Sequence, residues 1–161
     1  MLIKHSIKPI YNKDSKILIL GSMPSIVSRN SNFFYAHKQN RFWKVLGILF
    51  NIEFNSVEEK IKFLLENNIG IFDMIKECEI KGSSDSSITN VKVNDIESIV
   101  NSTNIKYVFC TGKTSFNLYK KYFSHLNVKY FCLPSPSSAN AAYSLDRLVN
   151  EYKIIKDLLN V

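Results

Sequence analysis

The side chains best suited to chemistry lie in one stretch, which runs from Gly21 to Asn40 and is called the first loop below. It mixes aromatic rings with Ser, Asn and Gln, and it contains no acidic residue. Adjacent aromatic rings can stack on a flat heterocycle, while hydroxyl and amide groups can bind its edge or hold a water molecule. Because carboxylates are absent, a phosphate backbone would not be repelled. The stretch therefore suits a flat ring carried on a phosphate chain.

A second polar stretch, residues 134–140, is called the second loop below. Pro134 and Pro136 flank Ser135 and stiffen the chain there. Its serines can present hydroxyl and backbone donors to a phosphate or to a base edge. An ordinary strand-to-helix turn is the alternative interpretation, and it loses weight if the two loops face each other.

Both loops follow apolar runs that are typical of buried strands. We predict strands over residues 16–20, 71–75, 106–111 and 128–133. Apolar residues at helical spacing predict helices over 41–50, 56–68, 94–102, 113–123 and 144–159. This alternation predicts an α/β protein whose central, mostly parallel sheet has about four strands covered on both faces. Right-handed crossovers then bring the two loops to the same carboxyl edge of the sheet.

The remaining segments carry weaker signals. We expect the first loop to lack regular structure, residues 1–15 to pack as an extended segment, and residues 76–92 to be a polar connection. Asn40 is placed to cap the helix over 41–50, and Ser56 with Glu59 has the form of a capping box. Gly70 is expected to end the helix over 56–68.

Composition limits the class of protein. The 161 residues suit a single domain over 1–161, and no apolar run approaches the roughly 20 residues that span a bilayer. The N-terminus does not have the pattern of a signal peptide, and the three cysteines are odd in number and widely spaced. We therefore expect a protein of the reducing cytoplasm without a disulfide framework.

The net charge of +7 favours a nucleic-acid partner, although a Lys-rich and Asn-rich bias of the coding DNA would explain it equally well. Several other chemistries fit poorly. The three histidines are not at metal-ligand spacing, and the chain has neither a Gly-rich phosphate loop nor G-x-G-x-x-G nor G-x-S-x-G. We therefore expect neither a metal nor a cofactor.

At this point the motifs resemble those of the uracil-DNA glycosylase superfamily, and most of all its hypoxanthine-DNA (deoxyinosine) glycosylase branch. The resemblance begins with an apolar strand followed by Gly-Ser-Met-Pro-Ser at 21–25 and continues with Tyr-Ala-His-Lys-Gln-Asn-Arg-Phe-Trp at 35–43. It extends through the motifs at 70–73, 82–88, 111–113 and 133–137, and so covers nearly the whole chain. It implies a three-layer α/β/α fold and a metal-free enzyme that flips a deaminated base out of DNA and hydrolyses its glycosidic bond.

The resemblance also implies roles for individual residues. Asn40 is expected to position the catalytic water, because Met23 stands where relatives have Asn or Asp. Tyr35 matches the aromatic residue that stacks on the flipped base. The base pocket is expected to comprise Gly21, Ser22, Met23, Pro24, Phe34, Tyr35 and His37. The DNA contacts are expected to come from Ser25, Ser28, Lys38, Arg41, Ser135, Pro136, Ser137 and Ser138.

Three functions remain open on the sequence. The first is a monomeric DNA glycosylase that removes hypoxanthine, with uracil as a further substrate. The second is a mismatch-specific uracil or thymine glycosylase. The third is a catalytically inactive DNA-binding module, which the presence of Met23 in place of a polar side chain suggests. Asp85 matches a motif position, but only a loop-bracing role can be suggested for it.

Overall fold

The computed structural model describes residues 2–81 and 87–160. Its strands are β1 (Leu2–Lys4), β2 (Ile17–Gly21), β3 (Ile69–Asp73), β4 (Ile75–Glu79), β5 (Thr89–Val93), β6 (Tyr107–Thr111) and β7 (Lys129–Leu133). Its helices are α1 (Ile26–Ser31), α2 (Phe42–Phe50), α3 (Val57–Glu66), α4 (Ile96–Asn101), α5 (Lys113–Phe123) and α6 (Leu145–Leu159). No helix in the described ranges is long and apolar enough to cross a membrane.

The central sheet has four parallel strands in the order β3-β2-β6-β7. All five residues of β2 and all five of β3 are buried, which explains their continuous apolar runs. The sheet order reverses between β2 and β6, because the chain moves from β2 to β3 on one side and later to β6 on the other. Ligands of open α/β sheets bind at such a switch point, beyond the carboxyl ends of the strands.

Helices cover both faces of this sheet, and the predicted three-layer α/β/α fold is confirmed. On one face, Phe116 and Tyr119 of α5 lie against Tyr130 of β7. Phe109 and Phe131 stack with centroids 5.1 Å apart, and they point to the opposite face because successive strand residues alternate. Helix α2 packs against helix α6.

A second sheet was not foreseen. Strands β1, β4 and β5 form a three-stranded antiparallel sheet, so the expectation of an irregular connection over 76–92 was wrong. These strands lack the regular alternation of apolar and polar residues that predicts a strand. Two register shifts interrupt the pairing of β4 with β5, and β5 has no buried residue. The extended segment expected over residues 1–15 is present: β1 pairs with β4, and Ile10 bridges Ile71 at the edge of β3.

Smaller corrections concern the loops and helix ends. The first loop contains the short helix α1, so it is not devoid of regular structure. Helix α3 ends at Glu66, and Gly70 lies inside β3 rather than at a helix end. Ser56 caps α3 as predicted, since its hydroxyl accepts a hydrogen bond from the Glu59 amide at 3.1 Å. The motif residues 82–86, which include Asp85, lie outside the described residues.

Candidate functional site

A cleft of about 700 Å³ opens at the carboxyl ends of β2, β3 and β6, where the order of the central sheet reverses. The first loop forms one wall and the second loop forms the opposite wall. Thirteen of the residues expected at the site line it: Gly21, Ser22, Met23, Pro24, Ser25, Ser28, Tyr35, His37, Asn40, Ser135, Pro136, Ser137 and Ser138.

Three expected site residues lie elsewhere. Phe34 is 1% exposed and packs in the core against Phe33 and Phe72, so the structure does not bring it to the cleft. Lys38 is exposed and lies outside the cleft lining. Arg41 also lies outside the lining, and its guanidinium binds backbone carbonyls of the second loop.

Arg41 ties the second loop to the start of α2. Its guanidinium donates to the carbonyl oxygens of Pro136, Ser137, Asn140 and Tyr143, with distances of 2.8 Å to Ser137 and 3.1 Å to Asn140. Its backbone amide also donates to Pro136 at 3.0 Å. The five-donor guanidinium fork can reach several carbonyls at once, which a lysine cannot do. The structure therefore places Arg41 to shape the cleft wall, where the sequence suggested a contact with DNA.

The Tyr35 ring lies at the closed end of the cleft. It stacks on Phe42 with centroids 4.0 Å apart and an interplanar angle of 15°. Its hydroxyl lies 2.7 Å from Oγ1 of Thr111, and Thr111 in turn donates to the Leu20 carbonyl, so Tyr35 is the donor of the pair. Tyr35 has φ of +52°, a left-handed conformation that its ring and hydroxyl contacts hold in place. Burial, and then the nearby Asp73 carboxylate, raise the pKa of Tyr35 well above its usual 10.0.

Gly21 lets two polar groups meet at the floor of the cleft. It pairs with Asp73 across the ends of β2 and β3. A Cβ at Gly21 would lie 2.4 Å from Oδ1 of Asp73 and 3.1 Å from the Tyr35 hydroxyl. Any larger residue would displace one of these groups, so the glycine is required by close approach.

Asp73 and His5 also belong to the site, although neither was expected there from the sequence. Asp73 is 4% exposed and lines the cleft, and Nε2 of His5 lies 2.9 Å from its Oδ2. The carboxylate could have been found, because Asp73 is the one acidic residue in a run predicted as a strand ending at this edge. His5 could not, since its partner is 68 residues away. Other lining residues that were missed are Lys81, Thr111, Ala139 and Asn140.

Asn40 combines a structural contact with a place in the cleft wall. Its Oδ1 accepts a hydrogen bond from the Phe42 amide at 2.9 Å, which satisfies the first free N–H of α2. The N-cap residue of α2 is Arg41, whose side chain makes no capping hydrogen bond. Asn40 therefore caps the helix from the position before the N-cap, whereas it was predicted to be the N-cap itself. An amide oxygen has a second lone pair, and this one remains able to hold a water.

Two serines of the first loop fold the loop back on itself. The Ser25 hydroxyl caps α1 by accepting from the Ser28 amide at 3.1 Å. The Ser28 hydroxyl accepts from the Ala36 amide at 3.0 Å, so it joins α1 to the segment that carries Tyr35. The described residues contain no group of three or more His, Cys, Asp or Glu side chains that could hold a metal ion.

The chain is similar in sequence and in fold to known proteins. Residues 8–159 match the sequence model of the uracil DNA glycosylase superfamily. A hypoxanthine DNA glycosylase from Methanosarcina acetivorans is 30% identical over 148 residues, which cover 91% of this chain and 94% of the relative. A hypoxanthine DNA glycosylase from Methanosarcina barkeri is 30% identical over 70% of this chain and 73% of the relative. The solution NMR structure of a candidate uracil DNA glycosylase from M. acetivorans superposes with a TM-score of 0.86 at 27% identity, over 100% of both chains.

Proposed function

This chain belongs to the uracil DNA glycosylase superfamily, and we propose that within it the protein removes hypoxanthine from DNA, with uracil as a second substrate. The support comes from the closed end of the cleft, where the Tyr35 ring, the Asp73 carboxylate and the Gly21 backbone meet. Two relatives bear the name hypoxanthine DNA glycosylase.

The cleft suits a base that has left the helix. Flipping costs a few kcal/mol, and least at a mispaired or damaged base. One face of the Tyr35 ring is covered by Phe42, and the residue also lines the cleft, so the other face is a platform for a flat base. The second loop, with its serines, faces this platform and is placed to contact the DNA backbone.

Asp73 supplies an acceptor that separates hypoxanthine and uracil from adenine and cytosine, the bases from which deamination forms them. Hypoxanthine carries a proton on N1 and uracil carries one on N3, whereas the matching ring nitrogens of adenine and cytosine are acceptors. The carboxylate oxygen at the floor of the cleft can accept the first kind of edge and repels the second. Its burial strengthens this contact, because water does not compete there.

Asn40 is the residue we assign to the water. The water oxygen attacks C1′ of the deoxyribose, the bond from C1′ to the base nitrogen breaks, and the base leaves with the bonding electron pair. The water loses one proton as its oxygen bonds to C1′, and the departing base takes up one proton in turn. Positive charge develops on the sugar and negative charge on the base. Nearby DNA phosphates stabilise the former, and polar hydrogens lining the pocket stabilise the latter. The Asn40 amide orients the water while the same side chain caps α2.

The decisive experiment measures base release from matched duplexes that carry one hypoxanthine, uracil, xanthine or undamaged base. We expect hypoxanthine release by the wild type and a loss of about 100-fold or more, roughly 2.7 kcal/mol of barrier, in Asn40→Ala. Asn40→Asp is the matched control, because it keeps the oxygen that caps α2 and can hold the water. Release of uracil alone would favour a mismatch-type uracil glycosylase. Binding of DNA without any release would favour an inactive binding module.

The assembly and location belong to the same proposal. A single domain acting as a monomer leaves the open edge of the cleft accessible to DNA. The three cysteines of the described residues are free thiols, which fits the reducing cytoplasm.

A further inference from the structure

His5 joins the N-terminal segment to the floor of the cleft. The segment is anchored on both sides of His5, by the pairing of β1 with β4 and by the bridge between Ile10 and Ile71. The His5 side chain is 0% exposed and lies 2.9 Å from Oδ2 of Asp73. A residue near the start of the chain therefore contacts a carboxylate that lines the cleft.

The hydrogen bonds of His5 define its tautomer. The Ile7 amide donates to Nδ1 at 3.2 Å, so Nδ1 must carry a lone pair. The proton then lies on Nε2 and is donated to Oδ2 of Asp73. Phe72 meets the ring edge-on with centroids 5.1 Å apart, and Phe34 lies 6.2 Å away. The ring is thus held as a neutral donor in one orientation.

The contact occupies one carboxylate oxygen and leaves the other for the cleft. Oδ1 lies beside Gly21 and the Tyr35 hydroxyl. Within residues 2–81 and 87–160 it accepts no hydrogen bond from the protein. The Asp73 backbone is held separately, because the Asn94 amide group donates to its carbonyl at 2.8 Å. His5 therefore contacts the carboxyl group and not the Asp73 backbone.

Resting on the function proposed above, we propose that His5 is a positioning residue that keeps Asp73 oriented as an acceptor for the N1–H of hypoxanthine. The neutral donor balances Oδ2, so that Oδ1 retains its lone pairs for the base. Without it, a buried carboxyl group would favour its protonated form, because burial disfavours charge. A protonated Oδ1 would donate a hydrogen bond, and it would then fit N1 of adenine in place of N1–H of hypoxanthine. His5 therefore protects the selectivity of the site.

The groups that could produce a competing pH effect are few. Tyr35 faces Asp73 from the first loop, and its raised pKa keeps it neutral over the working range. His37 and Lys81 also line the cleft, but neither forms an ion pair or hydrogen bond with Asp73 in the described residues. A change in pH profile on removing His5 therefore reports on the His5–Asp73 pair.

The test compares three substitutions at His5 in the full chain. His5→Gln keeps a nitrogen donor that reaches Oδ2, His5→Asn has one that is too short, and His5→Leu has none. We expect His5→Leu and His5→Asn to lose about tenfold or more in the single-turnover rate of hypoxanthine release, as for a lost hydrogen bond to a charged group. We expect His5→Gln to stay within about threefold of wild type. His125→Leu is the control, because His125 is an exposed histidine bound to Glu97 at 2.7 Å.

The pH profile provides the readout that a purely structural role would not move. In His5→Leu the dependence of the rate on pH should differ from that of the wild type, whereas His5→Gln should follow the wild type. Should His5→Leu fail to fold, His5→Asn against His5→Gln gives the same comparison. The proposal is overturned if His5→Asn retains the wild-type rate and profile, or if His5→Gln is as impaired as His5→Asn.

A double-mutant cycle and a spectroscopic measurement complete the test. If His5 acts through Asp73, His5→Asn should cost little in an Asp73→Asn background, whereas additive losses would contradict the proposal. Imidazole nitrogen NMR should detect the Nε2–H tautomer of His5 in the free protein, and the Nδ1–H tautomer would overturn the assignment. If wild type releases no base, the proposed function fails, but the NMR result still decides whether the pair exists.

Discussion

The first loop is held mainly by its own buried aromatic side chains, whereas the second loop is held mainly by side chains from outside it that bind its backbone carbonyls. Phe33 and Phe34 of the first loop are buried, and the Trp43 indole donates to the Phe34 carbonyl at 3.0 Å. The second loop buries Pro136, and side chains bind its backbone carbonyls. Arg41 donates to the carbonyls of Pro136, Ser137 and Asn140, and the Tyr152 hydroxyl donates to that of Pro134 at 2.7 Å.

The two walls of the cleft are therefore held in place differently, one by side-chain packing and the other by hydrogen bonds to its backbone. The first loop carries the ring assigned to stacking on the base and the amide assigned to the water, and its buried aromatic side chains fix both by packing. The second loop carries only small and polar side chains toward the cleft, so it is held through its backbone carbonyls, chiefly by Arg41. Changes in the first loop should therefore affect chemistry, and changes at Arg41 should affect the shape of the opposite wall.

The largest effect should come from Gly21→Ala, which adds a methyl group at the floor of the cleft, where the first loop begins. The new methyl group would lie 2.4 Å from Oδ1 of Asp73, so the carboxylate must move. We expect the single-turnover rate to fall about 100-fold or more, together with overpacking of about 1–3 kcal/mol in the free energy of unfolding.

Gly47→Ala provides a matched steric control for that substitution. Its Cβ would lie 2.7 Å from the Ile52 carbonyl oxygen, in α2 and away from the cleft. It should destabilise the protein to a similar degree while leaving the rate per folded molecule unchanged. Equal kinetic losses in the two variants would mean that the Gly21 effect is only one of stability.

An intermediate effect is expected from Arg41→Lys, which tests the anchoring of the second loop. Lysine keeps the charge but cannot bind four carbonyls, so we expect it to behave like Arg41→Ala, with about tenfold weaker catalysis, as for loss of more than one charged hydrogen bond. The measurement is kcat/KM on the hypoxanthine duplex over a range of salt concentrations.

The salt dependence distinguishes this role from a contact with phosphate. A lost phosphate contact would lower the slope of log K against log salt by about one in Arg41→Ala and leave it unchanged in Arg41→Lys. If Arg41→Lys retains full activity and only Arg41→Ala loses slope, Arg41 contacts DNA and the second loop has another anchor.

The smallest effect should appear at alkaline pH and concerns the Tyr35 hydroxyl. Its pKa is raised in the folded protein by burial and by Asp73, so the unfolded chain ionises first. Its contribution to stability is present below the usual value of 10.0 and is lost as pH rises above it. Urea unfolding between pH 8 and pH 11 should therefore show a decline that is smaller in Tyr35→Phe than in wild type. Tyr122→Phe, at a side chain that is 38% exposed, should leave the decline as it is.

Much of the fold could be predicted because its signals are local. Strands β2, β3 and β6 are mostly apolar and almost wholly buried, and α5 and α6 follow from helical spacing alone. The antiparallel sheet could not be predicted in the same way, because its strands are short, half exposed and interrupted by register shifts. The second sheet is the element that places His5 against Asp73.

The residues of the cleft also fall into those that the sequence could predict and those that it could not. Gly21, Asn40 and the serines of both loops could be proposed from the sequence, because polar residues after buried strands must gather at one sheet edge. Only the tertiary structure decided three features of the site. Phe34 is buried in the core, Arg41 binds the carbonyls of the second loop, and His5 pairs with Asp73. Backbone pattern and residue type act over a few positions, whereas the direction and partner of a side chain depend on which distant segments pack beside it.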